Sequence, residues 1–158
     1  MIRALRQSVG KDGFTMIEVI AVLVIMGILS AVVAVKMSNT SAIDLASQVE
    51  AVKGHLRYAQ TRAMNSNLVA WGINFNSTTS YYLFQGAGSA TPVQLPGEDS
   101  ATISLTAKKS GLTITPVRVT FNEFGSPCDA SGTPLTADVT VTTSGGTITI
   151  TKNTGFIP

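Results

Sequence analysis

The chain has 158 residues, enough for one domain, of which 44% are hydrophobic and only 13% charged. Its net charge of +2 belongs to the first twelve residues, where Arg3, Arg6 and Lys11 outweigh Asp12, and the remainder carries equal numbers of acidic and basic side chains. A neutral body excludes the global basicity that draws a protein to nucleic acid. Cys128 is the single cysteine, so an intrachain disulfide is excluded too, and the thiol is expected to be a small loop or core residue rather than a reactive one.

The basic leader ends Gly10-Lys11-Asp12-Gly13 and is followed by Phe14–Val35, FTMIEVIAVLVIMGILSAVVAV. As a helix this stretch would be about 33 Å long, enough to cross the roughly 30 Å hydrocarbon core of a bilayer. Flanking cations stay on the cytoplasmic side, so everything after Lys36 is expected to face the periplasm. The run is too long for the apolar region of a secretory signal, about 7–15 residues. A plain signal anchor satisfies the hydropathy but leaves Glu18 unexplained. An ionised group costs about 2.5–3.5 kcal/mol at the bilayer centre, less near the interface, so Glu18 is a functional candidate in need of a partner. Gly27 and Ser30 are small residues in the span, and no role is assigned to them.

Lys36-Met37-Ser38-Asn39-Thr40-Ser41 is polar and reads either as a weak point or as the N-cap of a second helical stretch. Beyond it Leu45, Val49, Val52, Leu56, Ala59 and Ala63 recur at alternating steps of four and three. That is the stripe of an amphipathic helix with one buried face. One helix over about residues 14–65 is therefore predicted, half in the membrane and half packed on a sheet. Gly54 within it signals either close packing or a soft spot.

After Asn65-Ser66-Asn67 the period changes to two. Val69, Trp71, Ile73 and Phe75 form the apolar face of a strand, Asn76–Thr79 a turn, and Ser80–Gln85 the returning strand. Gly86–Asp99 reads as a loop with a short strand at Val93–Leu95. Ile103 and Leu105 begin another strand, and Leu112–Ile114 and Val117–Phe121 follow, kept apart by Pro116. Asp138–Thr143 and Thr147–Lys152, joined by Ser144-Gly145-Gly146, predict a hairpin. The many strand threonines are expected to face solvent. The fold class is α+β: a long N-terminal helix packed on an antiparallel β-sheet head.

Catalytic chemistry finds no support. His55 is alone in a helical segment and reads as a surface or packing residue. Glu98, Asp99, Glu123, Asp129 and Asp138 are scattered among loops, with no spacing that singles out a metal. No phosphate-binding loop or nucleophile elbow is present. No enzyme activity, cofactor, metal or small-molecule substrate is expected.

The join Gly13-Phe14-Thr15-Met16-Ile17-Glu18 resembles the cleavage and methylation site of type IV prepilins and type II secretion pseudopilins. The resemblance implies a peptidase cut after Gly13, N-methylation of the new terminal Phe14, and a role in assembly for Glu18, the fifth residue of the processed chain, pairing with a neighbouring subunit's Phe14 amine. Leu56-Arg57-Tyr58-Ala59-Gln60-Thr61-Arg62-Ala63, Val119–Pro127 with its Phe-x-x-x-Gly-x-Pro turn, and Thr147–Thr151 followed by Gly155-Phe156-Ile157 are similar to segments of GspH/FimT-type minor pseudopilins. Major pilins usually carry a proline in the span and staple a C-terminal loop with two cysteines. This chain has no proline before Pro92 and a single cysteine, which points away from a shaft subunit.

The implied organisation is a cleaved leader over 1–13, a transmembrane assembly helix over 14–35 and a periplasmic pilin-like head over 36–158. The implied function is structural: a minor subunit of a type II secretion pseudopilus or type IV pilus, acting in filament assembly and protein secretion. Implied partners are other pilin or pseudopilin subunits, the prepilin peptidase and the inner membrane. The alternative, a DNA-binding minor pilin of a competence pilus, needs a basic patch. Lys108, Lys109, Arg118 and Lys152 are the candidates, few and dispersed, and nucleic acid is not favoured as a partner.

Overall fold

A computed structural model of the chain describes residues 13–66, 70–86, 91–108 and 111–158, the side chains of 35–41 excepted. The leader residues Arg3, Arg6, Lys11 and Asp12, the predicted strand start at Leu68 and Val69, and Lys109 lie outside these residues. The chain divides into two compact units, Met1–Asn39 and Thr40–Pro158, and helix α1 (Met16–Met64) contributes to both.

In the first unit α1 begins two residues after Phe14, and every described side chain along it is exposed. Met16–Ala34 is long and apolar enough to cross a membrane. The polar segment 36–41 does not cap a second helix, because α1 continues through it. It contains neither glycine nor proline, so propensity there is mediocre but nothing breaks the hydrogen-bond ladder.

In the second unit the predicted stripe is the buried face of α1. Val52, Leu56, Ala59 and Ala63 are fully buried, Val49 nearly so, and Leu45 packs at the margin.

Those strands are β1 (Trp71–Ser77), β2 (Ser80–Gln85), β3 (Thr91–Val93), β4 (Thr102–Ser104), β5 (Val117–Phe121), β6 (Pro127–Cys128), β7 (Val139–Thr143) and β8 (Gly146–Ile150). The first six form an antiparallel sheet in the order β3-β2-β1-β5-β6, with β4 also pairing β2. β3 and β4 share one edge of β2, through Leu83↔Val93 and Tyr81↔Ile103. β7 and β8 form a separate hairpin, with Val141↔Ile148 and Val139↔Ile150 in register. Trp71, Ile73, Phe75, Leu83, Val119, Phe121, Val141, Ile148 and Ile150 share one hydrophobic core with the helix stripe. Burying each large apolar side chain contributes about 1.5–3 kcal/mol.

The opposite face of the large sheet has its own cover. Phe84, cross-strand partner of Gly72, is fully buried. A Cβ on Gly72 would overlap the Val119 carbonyl oxygen and lie 2.6 Å from the Phe84 ring, while the Arg118 guanidinium stacks 4.1 Å over that ring. Glycine is required here so that the ring can lie flat on the strand.

Several sequence expectations shift. The short strand lies at Thr91–Val93, and Leu95, expected within it, is instead a buried loop residue. The Ile103 strand ends at Ser104, and Leu105 turns into the core while its N–H bonds the Thr79 carbonyl at 2.8 Å. Leu112–Ile114 is not a strand: Ile114 makes one isolated bridge to Thr143, and Pro116 stops the ladder from extending. Lys152 falls outside β8, its N–H held by Asp138 Oδ1 at 3.0 Å. Thr120 and Thr143 are buried, contrary to the expectation for strand threonines. Thr143 satisfies its hydroxyl by donating to the Gly146 carbonyl at 2.7 Å.

Candidate functional site

Gly13, Phe14 and Thr15 precede the helix, and all three are exposed. Thr15 acts as its N-cap: Oγ1 accepts from the Glu18 N–H at 3.4 Å, and the Thr15 carbonyl accepts from the same N–H at 3.1 Å. Thr15-Met16-Ile17-Glu18 has the spacing of a capping box, and an acidic residue in the first turn also faces the positive end of the helix dipole. The Gly13–Phe14 peptide bond thus lies outside the helix. Phe14 is 84% exposed and stands one turn before Glu18. Phe14, Glu18, Val19, Val22 and Leu23 border one shallow depression on the helix surface. The Glu18 carboxylate finds no partner among the described residues, and its surroundings are apolar.

Residues 10–34 match the prokaryotic N-terminal methylation motif. The chain carries a type IV prepilin-like amino terminus. No curated protein and no solved structure matches the chain. The matched residues include Gly13, Phe14 and Glu18, and they end where the apolar span Met16–Ala34 does. Such a terminus belongs to proteins that assemble with other pilin-like subunits after processing, and it is compatible with a single membrane anchor.

The head of this prepilin-like chain has its own organising point, at the end of α1. Gln60 Nε2 donates to the carbonyls of Gly125 at 2.8 Å, Gly155 at 3.0 Å and Thr154 at 3.3 Å. Arg57 Nη2 donates to the Ile157 carbonyl at 3.1 Å. Ser126 Oγ donates to the Asn153 carbonyl at 2.6 Å. The three segments singled out in the sequence, Leu56–Ala63, Val119–Pro127 and Gly155–Ile157, therefore meet at one place. Sequence reading marked Gln60 only as part of a motif; its role as the shared donor needed the fold. Met64, Phe124 and Phe156 leave large apolar surface exposed.

His55 is half-buried. Its Nδ1 lies 2.9 Å from the Tyr81 hydroxyl, and its Nε2 is 3.9 Å from Glu98 Oε1. Glu98 in turn holds Lys108 Nζ at 2.8 and 3.0 Å. Burial is the main influence on the ring and pulls His55 below its ordinary value; Glu98 opposes this and Lys108 reinforces it. Burial likewise pushes the Tyr81 phenol up. The cluster ties the loop ahead of β4 to α1. Among the described residues no group of three His, Cys, Asp or Glu side chains could hold a metal ion. Cys128 is buried on β6, and burial pushes its thiol up, which leaves it poorly nucleophilic. Asp129 folds its carboxylate back onto Ser131 and Thr133 of its own turn.

Of the candidate cations for nucleic acid, Lys109 lies outside the described residues, and the other three have separate settings. Lys108 is committed to Glu98, Arg118 stacks on Phe84, and Lys152 follows β8 on the separate hairpin.

Proposed function

We propose that the chain is a minor pilin-like subunit of GspH/FimT type, cut after Gly13, methylated on Phe14 and assembled through 14–35 into a pseudopilus or pilus. The observation that carries this reading is the coincidence of the methylation motif with an apolar helical segment, Met16–Ala34, whose side chains are all exposed. Such a surface is stable in lipid, or against other helices, but not in water. Placing the Gly13–Phe14 bond before the N-cap leaves it in the non-helical conformation that a peptidase cleft accepts. Glu18 then supplies what a plain anchor does not need, a carboxylate one turn from the new amine. The meeting of the three GspH/FimT-like segments at Gln60 supports the finer assignment, because segments that share one packing site constrain one another. The head, 36–158, would face the periplasm and vary its loops, while secretion or pilus partners would be set by the neighbouring subunits.

Intact-mass analysis of membrane-extracted protein tests this. Loss of residues 1–13 with gain of one methyl group is expected. A mass that begins at Met1, or beyond Val35, overturns the reading.

A further inference from the structure

Met64, the last residue of α1, is the single methionine of the unit Thr40–Pro158 and is 44% exposed. Its thioether covers a particular piece of backbone. Gly125 is buried, although Glu123 and Phe124 just before it are exposed. Beyond its chain neighbours, the atoms nearest a Cβ built on Gly125 are Met64 Sδ at 2.9 Å, Met64 Cγ at 3.2 Å and Gln60 Nε2 at 3.3 Å. The sulfur and the Gln60 amide therefore converge on the same side of Gly125.

That amide is already fully committed. An amide nitrogen carries two hydrogens, and Gln60 Nε2 shares them among the carbonyls of Gly125, Gly155 and Thr154. A thioether is a weak acceptor and leaves this sharing undisturbed. A sulfoxide in its place is polar, and its oxygen competes for the same hydrogens. The competition reaches the segment after β8, which is folded on itself by Gly155 N–H on the Thr151 carbonyl at 2.7 Å and Thr151 N–H on the Phe156 carbonyl at 3.0 Å. Gln60 and Arg57 are what fasten that segment to α1. The sulfur is open to an oxidant dissolved in water, whereas Met16 and Met26 lie in the apolar span and Cys128 is buried. A peroxide suffices for the chemistry. A lone pair on Sδ attacks one peroxide oxygen, the O–O bond breaks, the S–O bond forms and water leaves. Sulfur is oxidised by two electrons and the peroxide is reduced by two.

We propose that Met64 is a site of reversible oxidation, whose sulfoxide draws the Gln60 amide away from Gly125 and Gly155 and loosens the segment Gly155–Ile157 from α1. The inference concerns the head alone and stands or falls independently of processing at Gly13. The full-length chain in mild detergent would be treated with hydrogen peroxide, and the oxidised residues identified by peptide mapping. Amide exchange then separates local loosening from general unfolding. Once Met64 is the sulfoxide, the Thr151 amide is expected to exchange at least tenfold faster. The Leu105 amide, bonded to the Thr79 carbonyl between β1 and β2, should keep its rate. Reduction by a pair of methionine sulfoxide reductases, one for each sulfoxide epimer, should restore slow exchange at Thr151. Met64→Leu keeps the side-chain volume and should hold Thr151 slow with or without peroxide. A Met64 that stays reduced under peroxide, or a Thr151 rate indifferent to its sulfoxide, overturns the proposal. Equal acceleration at Leu105 overturns it in favour of general unfolding, and a peroxide response that survives in Met64→Leu overturns it in favour of another residue.

Discussion

Gly155 meets Gly125 backbone to backbone: a Cβ on Gly155 would overlap the Gly125 carbonyl oxygen, and the Gln60 amide spans both residues. Both glycines adopt positive φ, 62° for Gly155 and 77° for Gly125. The two positions are not equivalent, because a Cβ on Gly125 would meet the flexible end of Met64, 2.9 Å from its sulfur. Gly155→Ala is expected to cost about 2–4 kcal/mol, from left-handed strain plus a backbone overlap that cannot relax. Gly125→Ala should cost about 1–2 kcal/mol, mainly strain. Trp71 is the single tryptophan and is buried, so its fluorescence in detergent-solubilised protein reports unfolding of the head. Equal midpoints for the two variants would remove the backbone contact from the account.

Gln60 is expected to be the most sensitive polar residue of the head. Gln60→Ala leaves the Gly125 and Gly155 carbonyls without their donor, at about 1–3 kcal/mol. Gln60→Glu should be worse than Gln60→Ala, since a carboxylate faces carbonyl oxygens where a donor is needed. The same fluorescence midpoint ranks the three proteins, and a tolerated Gln60→Glu would contradict the hydrogen-bond pattern.

Gly54 separates the two readings left open by the sequence. No heavy atom lies within 4 Å of a Cβ built there, and the residue is exposed in mid-helix. It is a soft spot and not a packing site. Gly54→Ala should raise stability by about 0.5–1 kcal/mol. A loss of stability would mean that the head needs the softness.

His55 gives the head a pH dependence whose sign follows from its lowered value. The unfolded ring binds a proton near pH 6.5, whereas the folded ring, desolvated beside Tyr81 and Lys108, binds one only at lower pH. The unfolded state therefore holds more protons in that window, and stability rises with pH. The full contribution is present above about pH 6.5 and is lost as pH falls through the folded value. His55→Gln retains a hydrogen-bonding side chain beside Tyr81 and should flatten the wild-type slope of melting midpoint between about pH 7.5 and pH 5. An unchanged slope would place the titrating group elsewhere.

The parts of the fold that were legible in sequence are those where one periodicity persists. The stripe from Leu45 to Ala63 and the alternation Trp71-Ile73-Phe75 each repeat a single signal, and each is buried as the spacing requires. What was not legible depends on partners distant in sequence. β6 is only Pro127–Cys128, defined by its pairing to Thr120 and Phe121. Leu95 and Leu105 looked like strand residues because they are apolar, yet they fill the core from loops. Gln60 carries no local mark beyond the motif that contains it; its value comes from carbonyls 65 and 95 residues away. At the amino terminus the position is reversed. Gly13, Phe14 and Glu18 stand out in sequence by contrast with an apolar run, and the structure adds the N-cap at Thr15 that separates the first two from the helix.

Glu18 is where the proposed function is most exposed to test. In an isolated membrane helix its carboxylate has no partner, and the dipole of the first turn favours it by only about 0.3–1 kcal/mol. That gain is open to any acidic residue in a first turn and gives the carboxylate no partner. In a helix bundle the carboxylate would meet the Phe14 amine of a neighbour, and removing it would leave that amine buried and unpaired, at about 3–5 kcal/mol. Glu18→Ala is therefore expected to insert and be processed at wild-type levels but to enter filaments at least tenfold less. Glu18→Asp keeps the charge on a shorter arm and should recover part of the loss. Both variants should be measured by their co-purification with other filament subunits, alongside the processed mass of each. Normal processing with wild-type incorporation of Glu18→Ala would leave the carboxylate without the assembly role proposed for it. Failed processing would instead assign Glu18 to recognition by the peptidase, and the two outcomes separate because mass and incorporation are read on the same sample.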